Sequence, residues 1–396
     1  MIAISKMATS VQPSATLAAG AKAKQMKAEG IRVFDFSLGE PDFPTPEHVC
    51  QAAVQAMQAG HTHYTPASGI AELRAAVARW YQKAYGIRYA PEQVLVSSGA
   101  KHSIHNALAA TVGPGDEVII PTPYWVSYSD LVRMTGASFV LVPTTHESGF
   151  KMTPEQLRAA LTPRSRLLML NSPSNPTGTV YTRQELEALA DVVLDAKLAV
   201  LSDEIYERLV YGDSRATCFA ALRPELPERT ITISGASKTY AMTGWRIGWS
   251  LGPANVIKAM GNVQSQQTGC PSSVSQYAAL AALEGDQECV EKMRREFEAR
   301  RDLVCRRLAA LPGVRCPVPG GAFYAFFNVA AHFGRTLGGR RVTDSAGFCA
   351  AALESAHVNL VPGSAFGAEG YVRLSFATSR EQINGGLDRL EQFLKA

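Results

Sequence analysis

The chain reads as an α/β protein: a mostly parallel seven-stranded sheet covered by helices, with a smaller α+β domain beside it. Three observations predict this. Seven short, nearly continuous apolar runs alternate with helical segments between residues 94 and 252. Strands that apolar are buried on both faces, which is the habit of parallel sheets with helical crossovers. The residues able to carry chemistry fall just past the ends of these runs, where an open α/β sheet places its ligands. After Pro319 the rhythm changes to mixed strands and helices.

Length and composition allow such a fold. The 396 residues suffice for two or three domains, and 46% hydrophobic against 19% charged residues supports a large core. The net charge of +4 is spread without a basic run, so no nucleic-acid surface is expected. Neither a signal-peptide core nor a membrane span is evident. Seven cysteines, an odd count with no CxxC, support neither a disulfide framework nor a zinc site. Reduced thiols and a cytoplasmic location fit these features.

Taken in order, Ser14 to Gly30 predicts a helix closed by glycine. The proline-rich SLGEPDFPTPEH follows, and Thr45-Pro46-Glu47 then starts a helix that Gly60 ends. A third helix is expected from Ile70 to Tyr85, with Leu73, Val77, Trp80 and Ala84 at helical spacing. The expected strands are VLVSS (94–98), EVIIP (117–121), SFVLVP (138–143), RLLMLN (166–171), LAVLSDE (198–204), TITIS (230–234) and RIGWSLG (246–252). Helices are anticipated near 254–267, 272–284 and 286–310. The last part is expected to hold strands near 322–328 and 371–377 and helices near 343–356 and 379–395. This divides the chain into an N-terminal arm (1–45), a large domain (46–290) and a C-terminal small domain (291–396).

The stretch SGASKTYAMTGWRIGW organises the chemistry. Lys238 stands just past a β-branched strand, among small and apolar residues. Such a lysine loses solvation, so its neutral amine becomes available to form a Schiff base with an aldehyde. Arg246, eight residues on, can grip a phosphate with two hydrogen bonds. An aldehyde that carries a phosphate is pyridoxal 5′-phosphate (PLP). Asp203 ends the apolar strand LAVLSD; it is either a capping aspartate or the carboxylate that keeps a pyridine nitrogen protonated. Tyr206 and Asn175 can reach the ring oxygen, although Asn175 also suits a plain turn. Gly99-Ala100 opens a helix after a strand, and its free N–H groups can receive a phosphate. Trp125 can stack on an aromatic ring or serve as helical core. Arg373, in the alternating strand YVRLSFA, needs an anionic partner, either a substrate carboxylate or a structural acid.

Other chemistries have partial matches in the chain. His61 with His63, and His102 with His105, have metal-like spacing but no third ligand, so no metal is expected. Gly248-Trp249-Ser250-Leu251-Gly252 matches the G-x-S-x-G of a serine hydrolase elbow, with His332 or His357 downstream. Ser98-Gly99-Ala100-Lys101 matches the S-x-x-K of penicillin-recognising enzymes. Either hydrolase reading leaves Asn175, Tyr206, Arg246 and Arg373 without roles.

Along essentially its whole length the chain resembles the class I aminotransferases of PLP fold type I. SGASKTYAMTGWRIGW looks like their lysine signature, SPSNPTG their asparagine loop and SDEIYE their aspartate–tyrosine pair. The resemblance implies that Lys238 holds PLP, Asp203 meets the ring nitrogen, and Asn175 and Tyr206 contact the ring oxygen. Arg246 with Gly99, Ala100 and Lys101 would hold the phosphate, and Trp125 would stack on the ring. Arg373, Asn175 and the Gly39 backbone would bind the substrate α-carboxylate. It further implies a homodimer, with Tyr64 reaching the partner's phosphate.

One position departs from the family pattern: many relatives carry serine where Gly235 stands, so Ser234 or Ser237 would supply that contact. GEPDFPTPEH, YTPASG and PYWVSY look most like bacterial aspartate aminotransferases, some of which also transaminate prephenate. In that branch Lys101 and Thr16 would take the distal carboxylate. Amino acids and 2-oxo acids are therefore the expected partners. An aminotransferase for aromatic or neutral amino acids is the alternative within the class.

Overall fold

In the computed structural model the backbone is described for residues 2–13 and 15–395, with side chains described except at 15–18. All seven expected strands form one sheet: β1 (Val94–Ser97), β2 (Glu117–Thr122), β3 (Ser138–Pro143), β4 (Ser165–Asn171), β5 (Ala199–Asp203), β6 (Thr230–Gly235) and β7 (Gly248–Leu251). Their order across the sheet is β1-β7-β6-β5-β4-β2-β3. From β6 to β3 every neighbouring pair is parallel. Only β7 runs against its neighbours, pairing antiparallel with β1 and β6. The connection from β6 to β7, residues 236–247, contains a one-turn helix at Ala236–Thr239 and is too short for a covered crossover. That short return is the stretch bearing Lys238 and Arg246.

The helix expected at residue 70 spans Ala71–Tyr85 and ends at Gly86, whose φ of 73° suits a residue without Cβ. The helix expected from Ser14 to Gly30 covers Ala15–Ala28, and a short helix at Lys6–Ser10 was not anticipated. Trp125 was read as helical; it precedes the helix Ser127–Met134 instead.

A second sheet holds β8 (Tyr324–Asn328), β9 (Val361–Pro362) and β10 (Tyr371–Ser375), in the antiparallel order β9-β10-β8. The N-terminal segment Phe34–Asp35 pairs with Val358–Asn359, and the Ser375 N–H donates to the Phe36 carbonyl. The segment carrying Ser37 and Gly39 is thereby tied to the C-terminal part of the chain. The long helix Glu288–Ala309 runs through the domain boundary expected at 290. Its buried Arg300 pairs with Asp42 at 2.7 Å and Glu296 at 2.9 Å, anchoring the proline-rich loop. No described helix is long and apolar enough to cross a membrane.

Candidate active site

A cavity of ≈ 390 Å³ opens between the two sheets, within the range of small-molecule sites. Its walls bring together Gly39, Ala100, Lys101, Trp125, Asn175 and Asp203. They also include Tyr206, Ser237, Lys238, Arg246 and Arg373. These residues come from just past the C-terminal ends of β1, β2, β4, β5 and β6, from the segment leading into β7, and from the N-terminal segment and β10.

Lys238 points into the cavity, and its Nζ donates to the Gly39 carbonyl at 2.5 Å. Burial pushes its pKa down to about 8; Glu40 opposes this, and the Arg246 and Arg373 charges add to it. Roughly a tenth of the amine is therefore neutral at pH 7, far more than for a solvated lysine.

Asp203 is buried, and burial pushes its pKa up to about 6. Two hydrogen bonds hold the ionised form: the Tyr128 hydroxyl donates to Oδ2 at 2.6 Å, and the Ile205 N–H donates to Oδ1 at 3.3 Å. The Lys238 charge acts in the same direction.

Arg373 is 1% exposed, yet no carboxylate pairs with it among the described residues. It donates to Asn175 Oδ1 at 2.9 Å and to the Ser37 carbonyl at 2.6 Å. Its guanidinium lies 4.6 Å from the Tyr324 ring centroid, and its buried Nε has no hydrogen-bond partner. A buried guanidinium without an acid is costly and forms a receptor for a carboxylate from solution.

The phosphate-type features meet at the other end. Gly99 precedes the helix Ala100–Thr111 with φ 90°, and a Cβ there would collide with the Arg246 guanidinium. The helix start, whose first N–H groups have no intrahelical acceptors, and Arg246 thus stand side by side on the wall of the cavity, an arrangement suited to an anion. Arg246 itself has φ 55°, unusual for a non-glycine residue, and donates to the Thr243 carbonyl at 2.8 Å.

The substitution at Gly235 has a steric cause. A Cβ there would stand 2.8 Å from Gly248 Cα and 2.9 Å from the Ile247 carbonyl, because β7 passes directly behind it. Of the two serines offered as replacements, Ser237 lines the cavity. Ser234 donates instead to Glu207 at 3.3 Å, within the interior. Lys101 reaches over the Trp125 ring with Nζ 5.0 Å from its centroid. Partial desolvation, then the Arg246 charge, lowers its pKa.

Two expected residues lie apart. Tyr64 is 95% exposed and does not line this cavity. The Thr16 side chain lies outside the described residues. Neither hydrolase serine is at the site: Ser250 is fully buried in the middle of β7, and Ser98 is not part of the cavity wall. His102 and His105 both contact the amide of Gln267, each at 2.9 Å. His61 stacks on Tyr277.

The sequence reading missed Tyr128, Tyr324 and Glu40. Glu40 lines the cavity and accepts from the Thr243 hydroxyl at 2.9 Å. Tyr128 was visible only as a helical neighbour of Trp125.

Residues 31–390 match the family model described as aminotransferase class I and II. An aspartate aminotransferase from Geobacillus stearothermophilus is 46% identical over 99% of each chain. An aspartate/prephenate aminotransferase from Cereibacter sphaeroides is also 46% identical, over 97% of this chain and 96% of that one. Among solved structures, the aspartate aminotransferase of Rhizobium meliloti superposes with a TM-score of 0.97 at 44% identity, covering 100% of this chain and 99% of that one. The Thermus thermophilus aspartate aminotransferase with maleate gives 0.93 at 41% identity, with full coverage of both.

Proposed function

This chain belongs to the class I and II aminotransferases, and from that premise we propose that it moves the amino group of L-aspartate to 2-oxoglutarate, giving oxaloacetate and L-glutamate, with prephenate as a further acceptor. The observation that carries the reading is the meeting of a desolvated lysine, a buried aspartate and an acid-free buried arginine in one cavity.

The residues fit PLP. Lys238 would hold it covalently, Asp203 would face its ring nitrogen, and Tyr206 and Asn175 its ring oxygen. Trp125 would cover the ring. Arg246, Ser237 and the Gly99-Ala100-Lys101 helix start would take its phosphate. When bound, the cofactor supplies a carbon that accepts the amino group and a protonated ring that draws electrons from the substrate.

The chain's own residues do the rest. Arg373, pre-oriented by Asn175 and Ser37, grips the α-carboxylate in bidentate fashion. Lys101, a mobile point charge at the cavity mouth, takes the distal carboxylate; its flexible stem suits dicarboxylates of different length. Lys238 would serve as the base at the substrate Cα, taking that proton as a neutral amine and giving it back as an ammonium. Asp203 is ionised above about pH 6, its carboxylate held by Tyr128 and the Ile205 N–H. Two half-reactions sharing one site should give ping-pong kinetics.

The same reading includes a homodimer in which Tyr64 completes the partner's phosphate site. Support comes from the exposure of Tyr64 and of the apolar arm residues Ile2, Ile4 and Met7. A cytoplasmic location accords with the unpaired cysteines of the chain.

An absorption spectrum tests the proposal. Purified protein supplied with PLP should show a visible band that L-aspartate bleaches and 2-oxoglutarate or prephenate restores. Bleaching by aromatic amino acids alone would remove the substrate assignment, and failure to take up PLP would remove the cofactor.

A further inference from the structure

We propose that Tyr324 is a positioning residue, donating its hydroxyl proton to the Tyr206 oxygen while its ring face holds the Arg373 guanidinium. This rests on the reading of the cavity given above. Tyr324 joins, through one side chain, a group assigned to the cofactor's ring oxygen and the group assigned to the substrate's α-carboxylate.

The geometry follows from the small sheet. Tyr324 pairs with Ser375, and Arg373 lies two residues away on the same strand. A separation of two on adjacent strands keeps both side chains on one face and within reach. The guanidinium accordingly sits 4.6 Å from the Tyr324 ring centroid. Tyr206 arrives from the large sheet, just past β5. Its hydroxyl lies 2.7 Å from that of Tyr324, with the two rings edge to face at 85°. A Cβ at Gly39 would stand 2.6 Å from the Tyr324 hydroxyl oxygen. The backbone whose carbonyl accepts from Lys238 is therefore packed directly on that hydroxyl. All three side chains line the cavity.

The direction of the hydrogen bond follows from proton count. The two hydroxyls share one hydrogen bond, 2.7 Å long, and each phenol carries a single proton. With the Tyr206 proton given to the cofactor's ring oxygen, Tyr206 can only accept from Tyr324. Without that donation, the Tyr206 proton is free to turn toward Tyr324 and away from the cavity.

The test compares PLP-loaded wild type with Tyr324→Phe, Tyr324→Leu, Tyr206→Phe and the double variant Tyr206→Phe/Tyr324→Phe. The readouts are the pH midpoint of the visible absorbance and the KM for L-aspartate. Tyr324→Phe keeps the ring under Arg373 and removes the hydroxyl. The midpoint should rise by about half to one pH unit, because Tyr206 becomes a poorer donor to the ionised ring oxygen. KM should stay within about two-fold, the cation–ring contact being retained. Tyr324→Leu should produce the same midpoint rise together with a roughly ten-fold higher KM. In the Tyr206→Phe background, Tyr324→Phe should move the midpoint no further.

An unmoved midpoint in Tyr324→Phe, or an equal shift in both backgrounds, overturns the assignment. A wild-type protein that takes up no PLP overturns the cavity reading and this assignment together, so the two failures are distinguishable.

Discussion

The Tyr128 hydroxyl donates to Asp203 Oδ2 at 2.6 Å, and both side chains are buried. Burial favours the protonated acid, whereas the hydrogen bond favours the carboxylate; the outcome is a pKa of about 6. The partner that keeps the aspartate ionised thus comes from a different crossover, 75 residues away in the chain.

This relationship yields a first expectation. Tyr128→Phe removes a charge-assisted hydrogen bond worth about 1.5–3 kcal/mol, so the proton affinity of Asp203 should rise by about one to two pH units. The acidic limb of the activity profile should move upward by a similar amount, with loss greatest below neutrality. A kcat profile from pH 5 to 9 reads this, and an unmoved acidic limb would remove Tyr128 from the site's electrostatics.

Lys101→Ala should act selectively. Loss of a charged contact to the distal carboxylate predicts a fall in kcat/KM for aspartate of about 10- to 100-fold. Alanine, which lacks that carboxylate, should be used nearly as before. Equal losses for both substrates would show that Lys101 serves something other than dicarboxylate recognition.

Arg373→Leu separates function from stability. The guanidinium is buried without an acidic partner among the described residues, so an apolar replacement should leave Tm equal to or above that of the wild type. Turnover of every amino acid should nevertheless collapse, because α-carboxylate binding is lost. Succinate should raise the Tm of the wild type but not that of the variant. A strongly destabilised variant would mean that the arginine is chiefly a structural element.

In protein free of cofactor, burial holds the Lys238 pKa down at about 8, against the ordinary 10.5 of a lysine. The folded chain then binds fewer protons than the unfolded chain between these values, so this group adds stability as pH rises from about 8 to 10.5. Below about 8 the cost of the buried ammonium is present in full. Lys238→Met should therefore stabilise the cofactor-free protein at pH 7 and lose that advantage near pH 10.5, as denaturant titrations would read. The rate of PLP uptake by the wild type should rise through a midpoint near 8, as the neutral amine becomes available. A midpoint near that of a free lysine would contradict the desolvated setting.

The sheet was legible because its signals are local. Each strand is an apolar run of fixed length, and each crossover carries caps or glycines that mark its ends, such as Thr182 accepting from the Glu185 N–H and Gly86 closing its helix. The strand-end positions of Asp203 and Lys238 follow from the same signals, since an α/β sheet gathers such ends along one edge. The start of the helix after β2 was less legible: Trp125 lies two residues before Ser127, and no side-chain cap marks the boundary.

By itself the sequence determined the fold class, the order of the chemical groups along the chain and many of the groups that meet in the cavity, though not Glu40 or Tyr324. Those depend on periodicity, capping and motif spacing, all carried by near neighbours. Only the tertiary structure decided which tyrosine holds Asp203, that Tyr324 bridges Tyr206 and Arg373, and that Ser237 lines the cavity while Ser234 faces Glu207. It also decided why residue 235 is glycine: a second strand passes behind it at van der Waals range. Hydrogen-bond direction, burial and steric exclusion arise between segments far apart in the chain, and they exist only once the two sheets have closed on one another.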